Sequence, residues 1–299
     1  MNRPLATVSV DVDPVDLHLL GYGVRGLEPD PLVYTAALPR LMEAFARAGV
    51  HATLFVVGRD AGRHAASLAA LAAAGHEVAS HSHTHPMALA RLPRERVLAE
   101  LVDSRAALSR AAGADTIGFR APNFDLDRRS VPLLAAAGYR YDASGYPSLF
   151  LMAARALLTL KSGDPAGVMR LRATPFTWNR RPHRWRAGGH EVVEFPTAVS
   201  PVLRLPIYHT TRYLMSEAGF AAHLDGFVRR GEAMCYPLHA VDALGLAEDR
   251  VHPRLAPHPG MDFPLETKLR LLDRTLAEIA RRFDTVTYRE HLARLEAPA

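Results

Sequence analysis

The chain has 299 residues, 48% hydrophobic and 22% charged, with a formal net charge of +5. That balance supplies a sizeable core and excludes a disordered scaffold, and the length is within the range of one α/β barrel, so a single domain over residues 1–299 is expected. The one cysteine, Cys235, excludes an internal disulfide and any Cys-based zinc site, which leaves His, Asp and Glu as metal donors.

The first element is an apolar strand pattern, LATVSVDVD, ending in acids. No basic, apolar and small-residue leader precedes it, and a cytoplasmic chain is expected on that ground. Residues two apart in a strand share a face, so Asp11 and Asp13 can address one point; a helix cap or a solvated turn before Pro14 is the plain alternative. One phrase then recurs, in which an Ala-rich or amphipathic helix ends at a glycine and passes into a short apolar strand. It reads RAGVHATLF at Gly49, AAGHEVASH at Gly75, AAGADTIGFR at Gly113, AAGYRYDAS at Gly138 and, more loosely, RRGEAMCYPLH at Gly231. Glycine just past a helix is the usual left-handed cap, and helix followed by strand, repeated, predicts a parallel sheet or barrel.

The reactive side chains fall at the ends of these strands: Asp11 and Asp13, His81 to His85, Arg120, Asp142 and His239. Parallel α/β folds build active sites at that edge. In HSHTH, the four-residue spacing of His81 and His85 lets two imidazoles on a turn or tight loop reach one metal, although a solvent-facing His cluster would read the same. Arg120, in GFRAPNF, offers a cation to the two carboxylates or an ordinary surface ion pair. Beyond Asp142 an irregular basic insertion is expected at about residues 147–190, and Glu191 to Ser200 resumes the fold as a strand. A helix around Ser216 to Arg230 leads to a strand from Ala233 to His239; a helix from about Pro264 to Arg282 precedes a last strand, Thr285 to Tyr288.

In that order, strand-DVD, HSHTHP, FRAP, YRYDAS and YPLH resemble the five motifs of the polysaccharide deacetylases of carbohydrate esterase family 4, the NodB homology domain, from about Thr7 to Leu295. The resemblance implies a distorted (β/α) barrel of about seven parallel strands, with the active site at their C-terminal ends. It implies one divalent metal, zinc or sometimes cobalt, on Asp13, His81 and His85. Asp11 would be the general base, Arg120 would orient it, and His239 would be the general acid for the departing amine. The backbone N–H of Asn123 would stabilise the oxyanion. Asp142 would support the Arg120 or His239 neighbourhood, His83 would be structural, and His258, in PHPG, is a rival acid. Amide hydrolysis needs these parts on its own account, since it requires an activated water and a proton donor for a poor leaving group.

The implied activity is removal of the N-acetyl group from an amino sugar in a glycan or glycolipid precursor. A deformylase of a polyprenyl-phosphate-linked formamido sugar and a non-catalytic glycolipid-binding barrel are the alternatives. Two departures, DVD where many members have adjacent aspartates and Asn123 where an aromatic is usual, leave the substrate open. Loops 14–36 and 240–262 are expected to set specificity, and Tyr22, Tyr146 and Trp178 are candidate contacts.

Between Ala154 and Arg186, eight cationic residues face the single acid Asp164, and both tryptophans, Trp178 and Trp185, fall there. The segment follows the apolar run Leu149 to Leu160, which at about 12 residues is short of the roughly 20 that span a bilayer. Peripheral contact with an anionic membrane, or capture of a lipid- or phosphate-linked sugar, is one reading; a helix covering the barrel and a solvated arginine hairpin is the other. No nucleic-acid module accompanies the charge.

Overall fold

The computed structural model describes residues 3–148 and 179–297, so the apolar run at 149–160 and Trp178 lie outside the described residues. The chain divides into two compact units: Met1–Leu54, Ala73–Glu77 and Tyr208–His291 form the first, and Phe55–Ala72, Val78–Ile207 and Leu292–Ala299 the second.

In the first unit, β1 (Leu5–Val12) is buried along almost its whole length, as a strand covered on both faces must be. It pairs in parallel with β8 (Met234–His239), which sets Asp11 opposite His239, and with the short β9 (Asp284–Thr285). Around these strands lie α1 (Val15–Leu20), α2 (Leu38–Ala48), α6 (His209–Arg212), α7 (Glu217–Arg229) and α8 (Leu265–Arg282). On α2 the buried face is formed by Leu38, Leu41, Ala44 and Phe45. The last predicted strand stops early, because Tyr288 opens α9 (Tyr288–Glu296). Thr287 and Glu290 form a capping box there: Thr287 N–H donates to Glu290 Oε2 at 2.8 Å and Glu290 N–H to Thr287 Oγ1 at 3.2 Å.

The second unit contains α4 (Arg94–Ala112), α5 (Val131–Ala136) and the parallel strands β4 (Gly118–Phe119) and β5 (Tyr141–Asp142). Its core gathers Leu101, Phe119, Leu134, Tyr139 and Val192. Part of the expected irregular insertion is regular: β6 (His183–Ala187) and β7 (His190–Glu194) make an antiparallel hairpin. Gly188 and Gly189, at φ 56° and 79°, supply the doubly left-handed turn that suits the strand twist. Trp185 packs against the unit's core, and both Arg184 and Arg186 pair with Glu191. The strand expected over Glu191 to Ser200 ends at Glu194, before Pro196, which has no N–H to give a ladder.

With β2 (Thr53–Val56) and β3 (Glu77–Ser80), the strand order is β6-β7-β5-β4-β3-β2-β1-β8, with β9 also on β1. The order ends at β6 and β8 without closing. The fold is therefore α/β, with a run of seven strands from β7 to β8 and an incompletely closed version of the expected barrel. The five recurring glycines, Gly49, Gly75, Gly113, Gly138 and Gly231, all have positive φ, as the caps required. Among the described residues no helix is long and apolar enough to cross a membrane.

Candidate metal centre

His81 follows β3 directly and is buried. Its Nδ1 lies 2.8 Å from the carbonyl oxygen of Arg120, so Nδ1–H donates there and Nε2 is the nitrogen presented to a ligand. The chain then turns through two residues at positive φ, Ser82 at 63° and His85 at 58°. Ser82 Oγ accepts from His85 N–H at 3.1 Å, which holds the turn from inside. From α4, the Glu100 carboxylate accepts from the N–H groups of His83 and Thr84, both at 2.8 Å, and from the Thr84 hydroxyl at 2.6 Å. His83 thus joins the loop through its backbone, and its carbonyl accepts from Arg59 N–H at 2.8 Å. The His81 and His85 rings end with centroids 5.0 Å apart.

In the first unit, Asp11 and Asp13 lie at the C-terminal end of β1, both buried. His239 Nε2 is 3.9 Å from Asp11 Oδ2, and His18 Nε2 is 4.0 Å from Asp13 Oδ2. His18 also stands edge-on to His258 at 5.2 Å and to His239 at 5.9 Å. Tyr22 Oη lies 3.2 Å from His258 Nδ1, and burial pushes the Tyr22 hydroxyl up. Burial, with help from the neighbouring His239, pushes His258 down to about 4, so that ring is neutral near pH 7 and is a poor proton donor. His239 N–H donates to Asp242 Oδ2 at 2.9 Å, and Tyr213 donates to Asp242 Oδ1 at 3.1 Å. Burial opposes charge on Asp242, but His209, His239 and Lys268 outweigh it and hold the carboxyl below its ordinary value.

Arg120 is wholly buried in the second unit; its Nε donates to the Ala143 carbonyl at 3.0 Å and its guanidinium lies 4.1 Å over the Phe55 ring. Asp142 accepts from Ser144, at 2.7 Å from the hydroxyl and 3.1 Å from N–H, and belongs to the Arg120 neighbourhood. Asn123 has φ 53°, with its side-chain amide donating to the Met87 carbonyl at 3.3 Å. Tyr146 is buried against Phe124, with ring centroids 5.0 Å apart.

Asp13, His81 and His85, all buried, each offer one ligand atom, and these atoms lie within 4.8 Å of one another; among the described residues no other such group of three occurs. One carboxylate and two imidazoles are a donor set that fits a divalent ion of the zinc type, and three protein ligands are the number that leaves positions open for chemistry. Sequence reasoning missed Glu100, Asp242 and Glu194. Asp242 had a local signal, three residues after His239, but Glu100 and Glu194 reach their partners through the fold.

The polysaccharide deacetylase family profile matches residues 29–141. A peptidoglycan deacetylase of Helicobacter pylori is 29% identical over 147 residues, 47% of this chain and 49% of that protein, so the chain spans about half the length of this curated relative. A Mycobacterium smegmatis structure assigned to the polysaccharide deacetylases superposes with TM-score 0.63 at 20% identity, covering 100% of this chain and 93% of that one. A family 4 carbohydrate esterase from Streptomyces lividans, in complex with acetate, gives 0.50 at 14% identity, covering 94% and 90%. At these identities the two structures speak for the fold alone.

Proposed function

Since the chain belongs to the polysaccharide deacetylase family, we propose that it is a metal-dependent hydrolase that removes the N-acetyl group from an amino sugar in a glycan or glycolipid precursor. The observation that carries this reading is the buried cluster of Asp13, His81 and His85. A divalent ion held there, zinc or cobalt, supplies Lewis acidity toward the amide carbonyl and an activated water near neutral pH. Asp11 takes a proton from the attacking water as general base, and Arg120 orients that base. His239 returns a proton to the departing amine; its Nε2, 3.9 Å from Asp11 Oδ2, supports the pairing of the two roles. The Asn123 N–H, on a residue at φ 53°, donates to the developing oxyanion. His258, held neutral near pH 7 by burial, is not the acid in this reading.

In this reading Tyr22, Tyr146 and Trp178 contact the sugar, and the chain works as one domain in the cytoplasm. Peripheral contact with an anionic membrane has a specific support. The turn at residues 200–205 carries Val202 and Leu203 at 84% and 71% exposure, next to Arg204. A lipid- or phosphate-linked sugar is the substrate such a surface would serve.

The test is metal content of the wild type beside His85→Ala, followed by product analysis on N-acylated amino-sugar oligomers and lipid-linked sugars. Near-stoichiometric metal that the variant loses, with acetate released, supports the reading. Formate in place of acetate makes it a deformylase, and a wild type that binds no zinc or cobalt overturns the hydrolytic mechanism.

A further inference from the structure

His258 takes no part in the proposed proton transfers, yet it stands in the first unit beside the proposed acid. Its ring is edge-on to His18 at 5.2 Å and 6.5 Å from the His239 ring. The turn that bears it is closed on both sides: His258 N–H donates to the Leu255 carbonyl at 2.8 Å, and the His258 carbonyl accepts from Met261 N–H at 3.0 Å. Gly260, at φ 87°, continues this turn where Tyr213 leaves no room for a side chain, since a Cβ there would meet the Tyr213 ring at 2.5 Å. The chain just after α1 is tied to the same loop twice. Tyr22 Oη lies 3.2 Å from His258 Nδ1, and Arg254 Nη2 donates to the Tyr22 carbonyl at 3.1 Å. The imidazole is thus held in one place before any ligand arrives.

The bond to Tyr22 also sets the position of the ring proton. A phenol hydroxyl is a better donor than an imidazole N–H, and an imidazole nitrogen is a better acceptor than a phenol oxygen. The hydroxyl therefore donates to Nδ1, and the proton of the neutral ring sits on Nε2. Burial first, then His239 and Lys268, keep the ring uncharged at pH 7 against the pull of Asp242. Nε2 has no hydrogen-bond partner among the described residues, and unlike His209 Nε2 and His239 Nδ1, which are buried, it reaches the surface. An uncharged N–H donor at an open position suits a neutral oxygen better than an anion. A proton passed from His239 to an amine crosses one hydrogen bond of about 3 Å. With the two rings 6.5 Å apart, a second bond of about that length from His258 reaches a hydroxyl on the next sugar carbon.

We propose that His258 is a substrate-binding residue, which with Tyr22 bonded to its Nδ1 donates Nε2–H to the hydroxyl on a sugar carbon next to the one bearing the amide. Tyr22 is then a positioning residue acting through His258, and the pair selects amino sugars that carry this hydroxyl. The inference deepens the deacetylase reading and rests on it.

The test compares wild type, His258→Phe and Tyr22→Phe, metal-loaded and checked for folding by circular dichroism, on N-acetylglucosamine oligomers and on 3-deoxy analogues that lack only this hydroxyl. In the wild type, loss of the hydroxyl lowers kcat/KM about three- to tenfold, with the change in KM and kcat held within about twofold. His258→Phe lowers kcat/KM for the parent sugar by the same factor and treats both sugars alike, so the two losses do not add. Tyr22→Phe gives a smaller loss, and nitrogen-15 NMR of the His258 ring shows the Nε2–H form in the wild type and a mixture of tautomers in Tyr22→Phe. Additive losses in folded His258→Phe, or an Nδ1–H ring in the wild type, overturn the proposal. Where the parent sugar is still hydrolysed, that result leaves the deacetylase reading standing. Binding without hydrolysis is judged by the same cycle on dissociation constants, and absence of both removes the proposal together with the reading it rests on.

Discussion

Removing the Glu100 carboxylate tests whether the His81–His85 loop is held from outside itself. Glu100 accepts two backbone N–H groups and one hydroxyl from His83 and Thr84, so Glu100→Ala leaves three donors without their acceptor. An unsatisfied buried donor costs about 1–3 kcal/mol, and because Thr84 is exposed and His83 half-buried, water replaces part of the loss; the expected destabilisation is about 2–4 kcal/mol. Glu100→Gln places its one oxygen toward the two N–H groups and its amide toward the Thr84 oxygen, losing mainly the charge, about 1 kcal/mol. Urea denaturation of the metal-free protein measures both steps. Zinc titration should show affinity falling in the same order, because the loop sets the direction of both imidazoles. Equal stability and zinc affinity in wild type and Glu100→Ala would refute the reasoning, and so would a Gln variant worse than Ala.

Gly58→Ala should destabilise by about 1–3 kcal/mol in the same assay, since a Cβ there would meet Ser104 Cα at 2.8 Å and His83 Nδ1 at 2.9 Å; a neutral result would mean the α4 contact is loose. His258 should titrate near 4 by NMR instead of near its ordinary 6.5. Because its folded value is below its unfolded one, its contribution is complete above pH 6.5 and is lost as pH falls from 6.5 toward 4, by at most about 3 kcal/mol. A midpoint near 6.5 would show that the ring is solvated. Vesicles rich in anionic phospholipid should bind the wild type at low salt and release it at high salt, and Val202→Asp with Leu203→Asp should abolish binding while Val102→Asp, on α4, does not. Binding indifferent to the double variant would remove the turn at residues 200–205 from any membrane role.

What could be read from the chain alone was whatever depends on near neighbours in sequence. The glycine caps and the apolar runs after them located the strands that follow them, β3 before His81 among them, because cap and strand are local events. The misplaced last strand was also local: Thr287 and Glu290 spell a capping box that outweighs the apolar run before it. At residues 183–194 composition hid a pattern. The arginines drew attention as a charge run, yet His183, Trp185 and Ala187 alternate with them and Gly188-Gly189 follows, which is a hairpin written at period two. Glu100 and Glu194 are of another kind. Each looks like an ordinary charged residue of a helix or strand, and only pairing across the fold turns one toward the His loop and the other toward Asp142. A buried acid is costly unless satisfied, and in both cases the satisfying groups lie on loops that carry the proposed chemistry. The supports of the site are therefore where sequence reading stops, because their partners are fixed by tertiary register and not by spacing.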